Sequence, residues 1–122
     1  MKFFIVDDDN DMIQLIESLI EASGHEVSSA LAGHQAISGI TAMRPNCIIT
    51  DLMMATMDGL ELCDEIRANK AISDTTIIMV SARDAEHWKE QAADRGADGY
   101  ITKPIDPETF VDDLLAIMEA AG

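Results

Sequence analysis

Polar groups suited to hold a cation and a phosphoryl group stand at matching places in this sequence, each at the end of a short apolar run. Asp7 and Asp8 follow Phe3-Phe4-Ile5-Val6, and Asp51 follows Cys47-Ile48-Ile49-Thr50. Ser81 follows Thr76-Ile77-Ile78-Met79-Val80, and Lys103 follows Tyr100-Ile101-Thr102. A carboxylate where a buried strand opens into a loop is costly unless a metal or a cationic side chain pairs with it. Clustered carboxylates repel one another, which raises the cost of ionising them together or recruits a cation. Mg²⁺ (or Mn²⁺) takes oxygen ligands, typically one or two carboxylates plus waters and phosphate oxygens. An ammonium and a hydroxyl beside such an ion complete a clamp for a phosphoryl group. A carboxylate can itself be the nucleophile that accepts that group.

Such chemistry requires elements that bring the groups together. The apolar runs read as buried strands, the second and weakest of them at residues 27–30. Helix-period segments lie between them. Met12, Leu15, Ile16, Leu19 and Ile20 mark the first helix, capped by Asn10 or Asp9 and stopped by Gly24 in a left-handed conformation. Ala36, Ile37, Ile40 and Met43 mark the second, within residues 33–43 and ended by Pro45. Leu62, Cys63 and Ile66 mark the third, about residues 60–69. A polar, small-residue helix spans about 85–95 and ends at Gly96. Asp106-Pro107 is expected to open the last helix, with Asp as cap and Pro at its first position. Phe110, Val111, Leu114, Leu115 and Met118 line its inner face. The Met-rich loop after Asp51 closes on Asp58-Gly59, which reads as a turn because Gly tolerates unusual backbone angles.

Apolar, non-alternating strands between helices imply an α/β fold with a mainly parallel sheet covered on both faces. Right-handed crossovers bring all five strand C-termini to one edge. A site is expected beyond that edge, where the strand order reverses. Asp7, Asp8, Asp51, Ser81 and Lys103 would all converge there.

Composition narrows the function. The 122 residues fit one domain, and 8 basic against 23 acidic residues leave a net charge of −15. So acidic a chain, without a basic patch, is not expected to bind nucleic acid directly. No apolar run approaches the roughly 18 residues of a membrane span, so membrane insertion is not expected. Cys47 and Cys63 lack framework spacing and read as reduced thiols of a cytoplasmic protein. The spacing Asp7-x-Asp9-x-Asp11 mimics a Ca²⁺ loop but fails, with Met12 and Ser18 where Gly and Glu are needed. Asp9 and Asp11 read as helix-start residues. The methionines read as core and loop filler, and His25, His34 and His87 as surface residues.

The strand-end residues, in order, resemble the receiver domain of two-component response regulators, of the stand-alone chemotaxis type. The resemblance rests on Val6-Asp7-Asp8, Asp51 with Met54, Met57-Asp58-Gly59, Ser81-Ala82, and Gly99-Tyr100-Ile101-Thr102-Lys103-Pro104. It spans essentially the whole chain, so residues 1–122 are expected to form one receiver domain with no output domain. It implies a flavodoxin-like, doubly wound (βα)5 fold with strand order 2-1-3-4-5.

By that resemblance Asp51 would be the phosphoacceptor, taking its phosphoryl group from a histidine kinase or phosphotransfer protein. Asp7, Asp8, Asp51 and the Met53 backbone carbonyl would hold Mg²⁺ (or Mn²⁺), Asp7 mainly through water. Lys103 would pair with Asp51 and then with the phosphoryl oxygens. Ser81 would hydrogen-bond the phosphoryl group, and Tyr100 would rotate inward. Ala82, Asp58, Gly59 and Pro104 would support the loops, with Lys103-Pro104 in the cis form common in the family. The protein would act as a switch rather than as an enzyme on a separate substrate. Its output would be a changed surface on the fourth helix, fifth strand and fifth helix, offered to a downstream protein or a second copy of the chain.

Two positions depart from the family pattern: Ala55 stands where Pro is common, and Ser81 replaces the more frequent Thr. Met53 and Arg83 occupy positions that tune dephosphorylation in relatives. Trp88 reads equally as a partner anchor or as a cover over Ala85 and Ala92. Competing readings fit less well. A silent docking or dimerisation module would be expected to lack part of the acidic pair, Asp51 or Lys103. An aspartyl-phosphatase enzyme would want an Asp-x-Asp-x-Thr-like pattern and a cap domain. A flavin carrier would want a Ser/Thr/Gly-rich loop after the first strand.

Overall fold

The computed structural model describes residues 1–55 and 57–122. Its strands are β1 (Lys2–Val6), β2 (Glu26–Ala30), β3 (Cys47–Thr50), β4 (Thr76–Ser81) and β5 (Gly99–Thr102). They alternate with helices α1 (Asn10–Ala22), α2 (Gly33–Met43), α3 (Gly59–Ala68), α4 (Glu86–Asp94) and α5 (Phe110–Ala121). All strand pairs are parallel and the order is β2-β1-β3-β4-β5, the doubly wound arrangement expected from the sequence. Parallel neighbours cannot be joined by a tight turn, so each crossover carries a helix back across a sheet face.

The sheet separates two apolar layers. Phe4, Val6, Ile48, Ile77 and Met79 face α2, α3 and α4, where they meet Ile40, Leu62 and Ile66. Phe3, Ile5, Ile49, Ile78 and Val80 face α1 and α5, where they meet Ile16, Ile20, Phe110 and Leu114. Every residue from Phe3 to Val6 and from Cys47 to Thr50 is buried, which explains why these strands show no polar alternation. Cys47 and Cys63 lie in opposite layers, so the sheet stands between the two thiols. Burial pushes both thiols up, Cys63 to about 11, which leaves them protonated and unreactive at neutral pH.

Helix ends follow local chemistry. The Asp9 carboxylate accepts the Asp11 and Met12 N–H groups, making Asp9 the cap of α1. Gly24 (φ +86°) and Gly96 (φ +103°) follow α1 and α4 in the left-handed region. The buried stripe of α1 is Ile13, Ile16 and Ile20, and Leu15 is 38% exposed on the flank.

The start of α5 also differs from expectation. The Asp106 carboxylate accepts the Glu108 N–H at 2.9 Å, two residues on. This closes a turn over Pro107 to Thr109, with the Asp106 carbonyl taking the Thr109 and Phe110 N–H groups. Asp106 therefore folds a side-chain turn instead of capping a helix, and α5 begins at Phe110.

Arg67, at the C-terminal end of α3, ties three segments together. Its guanidinium donates to the carbonyls of Ser73, Thr75 and Gly96 and pairs with Asp98 at 3.0 Å. Asp98 in turn accepts the Ile77 N–H of β4 at 2.9 Å. Trp88 is half-buried against the α2–α4 layer, which includes Ala92, whereas Ala85 is exposed. Among the described residues, no helix is long and apolar enough to cross a membrane.

Candidate functional site

Registers pair Val6 with Thr50, Thr50 with Met79 and Ser81 with Thr102, so β1 and β3 finish level and β4 and β5 run two residues further in the same direction. The residues just beyond therefore meet at one sheet edge, around β1 and β3. Asp7 is 3% exposed, Asp51 is half-buried and Asp8 is exposed. These three can each offer a carboxylate oxygen within 4.8 Å of the other two, close enough to hold one metal ion. The oxygen-only donor set and the partial exposure suit a hard divalent cation that keeps some of its water.

Lys103 supplies the local positive charge. Its Nζ lies 3.2 Å from Asp7 Oδ2 and 3.6 Å from Asp51 Oδ2, so the expected pairing with Asp51 is present but the shorter contact is to Asp7. The other Asp7 oxygen accepts the Asp9 N–H at 2.9 Å, which fixes the carboxyl at the start of the β1–α1 loop. The Lys103-Pro104 peptide is cis.

Burial raises the pKa of Asp51. Lys103 opposes that rise, Asp7 adds to it, and the backbone N–H groups of Leu52 and Met53 favour the ionised form. The balance leaves the carboxyl above its ordinary range. A carboxyl with a raised folded-state pKa destabilises the fold as pH climbs from its ordinary value through the raised one. Without divalent cations, Asp51→Asn is therefore expected to melt higher than wild type at pH 7. The gap should close as pH is lowered past the ordinary carboxyl pKa. Thermal melts in chelator check this, and a variant melting lower than wild type at pH 7 contradicts it.

Ser81 and Tyr100 connect the site to the surface. Ser81 is 1% exposed, and its Oγ accepts the Arg83 N–H at 3.1 Å. The Arg83 carbonyl accepts the Tyr100 hydroxyl at 2.6 Å. The Lys89 ammonium stands 6.0 Å from the centre of the Tyr100 ring. Ala82 is exposed in the intervening loop.

The β3–α3 loop is anchored at its far end. Asp58 caps α3 by accepting the Glu61 N–H at 2.9 Å, and the Gly59 N–H donates to the Leu52 carbonyl at 2.8 Å. Gly59 lacks the positive φ expected of an Asp-Gly turn. It is the first residue of α3, and a Cβ there would collide with the Asp51 carbonyl oxygen and press on the Met79 sulfur. Close approach, not backbone freedom, is the physical reason for Gly59. Met53 is 44% exposed and Ala55 is exposed.

Residues 3–115 match the response regulator receiver domain. The chain belongs to that family. Relatives of the receiver domain include the alkaline phosphatase synthesis transcriptional regulatory protein PhoP of Bacillus subtilis, 34% identical over 87% of this chain and 43% of that protein. Protein PilG of Pseudomonas aeruginosa is 32% identical over 91% of this chain and 82% of that protein. The receiver domain thus spans less than half of PhoP but most of PilG. Among solved structures, chemotaxis protein CheY4 of Vibrio cholerae superposes with a TM-score of 0.91 at 28% identity, covering 95% of this chain and 97% of that one.

Two features of the receiver domain escaped the sequence reading. One is the buried hydroxyl of Thr50, which donates to the Asp51 carbonyl at 3.0 Å. The other is the Arg67 clamp. Thr50 sits in an otherwise apolar strand, and that mismatch was a legible signal; the Arg67 partners lie up to 31 residues away and left none.

Proposed function

We propose that this chain is a phosphorylation-activated switch of a two-component system, with Asp51 as the phosphoacceptor. The observation that carries the reading is the placement of Asp51. Its carboxylate shares one sheet edge with Asp7 and Asp8 at metal-binding distance and lies 3.6 Å from the Lys103 ammonium. Family membership of the receiver domain supports it.

Phosphoryl transfer depends more on positioning and charge neutralisation than on covalent help. Asp51 would offer a carboxylate oxygen in line with the phosphorus of a kinase phosphohistidine. The new P–O bond forms as the P–N bond breaks, and its electron pair returns to the imidazole nitrogen. Asp7, Asp8, Asp51 and the Met53 carbonyl would hold Mg²⁺ (or Mn²⁺), which when bound neutralises charge on the phosphoryl oxygens. Lys103 bridges Asp7 and Asp51 in the resting arrangement and would turn to the phosphoryl oxygens. Ser81 accepts the Arg83 N–H, so its own O–H can donate to the phosphoryl group.

That donation would pull on the β4–α4 loop. Arg83 bonds Ser81 through its N–H and Tyr100 through its carbonyl, so movement of the loop reaches the ring on β5. The output is then a change in the α4–β5–α5 surface, read by a downstream protein or a second copy of the chain. Residues 1–122 would fold and switch as one receiver domain, acting in the cytoplasm.

Incubation with acetyl phosphate and Mg²⁺, followed by intact mass, tests the reading. Wild type is expected to gain one phosphoryl group and Asp51→Asn none. A wild type that gains nothing, or a variant that gains as much, overturns it and leaves the unphosphorylated docking module as the better account.

A further inference from the structure

The strand that delivers Asp51 carries one polar residue, Thr50, fully buried between Val6 of β1 and Met79 of β4. Valine would fill the same space without a polar group to satisfy. A buried hydroxyl is costly unless its hydrogen bond is made, so its partner is informative. That partner is the Asp51 carbonyl, at 3.0 Å.

The same carbonyl oxygen is confined from another side. Gly59 lies so close that any Cβ would strike it, and the Gly59 N–H fixes the next carbonyl, that of Leu52, at 2.8 Å. On the strand side, the Asp51 N–H is held by the Val6 carbonyl at 3.0 Å. The carbonyl of Asp51 and the N–H of Leu52 belong to one planar peptide. Fixing the carbonyl therefore fixes that peptide plane, and with the Asp51 N–H held on the other side of the Cα, both planes that set the direction of the Asp51 side chain are anchored.

We propose that Thr50 is a positioning residue for phosphoryl transfer: its hydroxyl sets the plane of the Asp51–Leu52 peptide and so aims the Asp51 carboxylate. The proposal rests on the reading of Asp51 as the phosphoacceptor. Without the hydroxyl, the Asp51 carbonyl loses a partner, the peptide plane is free to rock, and the carboxylate leaves its line of attack. The chemistry itself is unchanged, because Thr50 touches neither the phosphoryl group nor the cation ligands' oxygens.

Two variants test this. Thr50→Val removes the hydroxyl at constant shape, and Thr50→Ser keeps it. With acetyl phosphate and Mg²⁺, Thr50→Val is expected to be phosphorylated roughly tenfold more slowly at saturating donor, with the apparent KM for donor held, because misplacement affects the transition state more than encounter. Thr50→Ser should recover most of the rate. In metal-free, unphosphorylated protein, the Leu52 amide resonance should shift in Thr50→Val and return in Thr50→Ser, while both variants melt cooperatively. An unchanged Leu52 amide in Thr50→Val, or a Ser variant as slow as the Val variant, overturns the proposal. Failure of wild type to be phosphorylated overturns the reading of Asp51 instead, and the amide comparison still decides whether Thr50 orients that peptide.

Discussion

Arg67→Ala is expected to lower the melting temperature by on the order of 10 °C. The guanidinium satisfies the carbonyls of Ser73, Thr75 and Gly96 at once and neutralises Asp98. Removing it leaves several part-buried acceptors without donors, each worth about 1 kcal/mol or more. Its ion pair with Asp98 adds less, because both side chains are more than a fifth exposed, at 25% and 29%. Asp98 also accepts the Ile77 N–H, so its displacement loosens β4, the strand that ends at Ser81. Arg67→Lys should recover little, since an ammonium cannot span partners arranged around a planar fork. Thermal denaturation of the three proteins checks this, and a Lys variant as stable as wild type contradicts it.

Lys103→Met is expected to slow phosphorylation of Asp51 from a small donor by on the order of 10²-fold, the range for losing one preorganised electrostatic partner of a transition state. Dephosphorylation should slow as well, because both transfers pass through the same distribution of charge on the phosphoryl oxygens. Lys103 lies 3.2 Å from Asp7 and 3.6 Å from Asp51, so its loss also leaves a nearly buried carboxylate without its cation. Metal affinity is expected to rise, since the ammonium no longer competes for those carboxylates. Phosphorylation kinetics at several Mg²⁺ concentrations separate the effects, and an unaltered rate at saturating Mg²⁺ contradicts the role given to Lys103.

Much of this was readable in the residues because buried parallel strands leave a plain signature. Runs such as Cys47-Ile48-Ile49 announce a strand covered on both faces, and a charge that ends such a run marks the sheet's edge. Asp7, Asp8, Asp51 and Lys103 could therefore be brought together before any geometry was known. What resisted reading depended on side-chain direction and on contacts far apart in the chain. Helical spacing picked out Leu15 and passed over Ile13, whereas the stripe that the sheet selects is Ile13, Ile16 and Ile20. Asp106 looked like a helix cap, but its carboxylate reaches only two residues forward and makes a turn. Asp58-Gly59 looked like a turn chosen for backbone freedom, and the glycine is instead required by the Asp51 carbonyl packed against it. Lys103 was matched to Asp51 by resemblance, and the fold sets it slightly nearer Asp7.

The central claim is that a phosphoryl group arrives on one particular carboxylate. Acyl phosphates are reduced by borohydride to the alcohol, which converts a phosphorylated aspartate to homoserine and leaves free carboxylates untouched. After phosphorylation with acetyl phosphate and Mg²⁺, borohydride reduction and peptide mass mapping should find homoserine at position 51. Homoserine at position 7 or 8, or none in a protein that has gained phosphate, would contradict the assignment of Asp51.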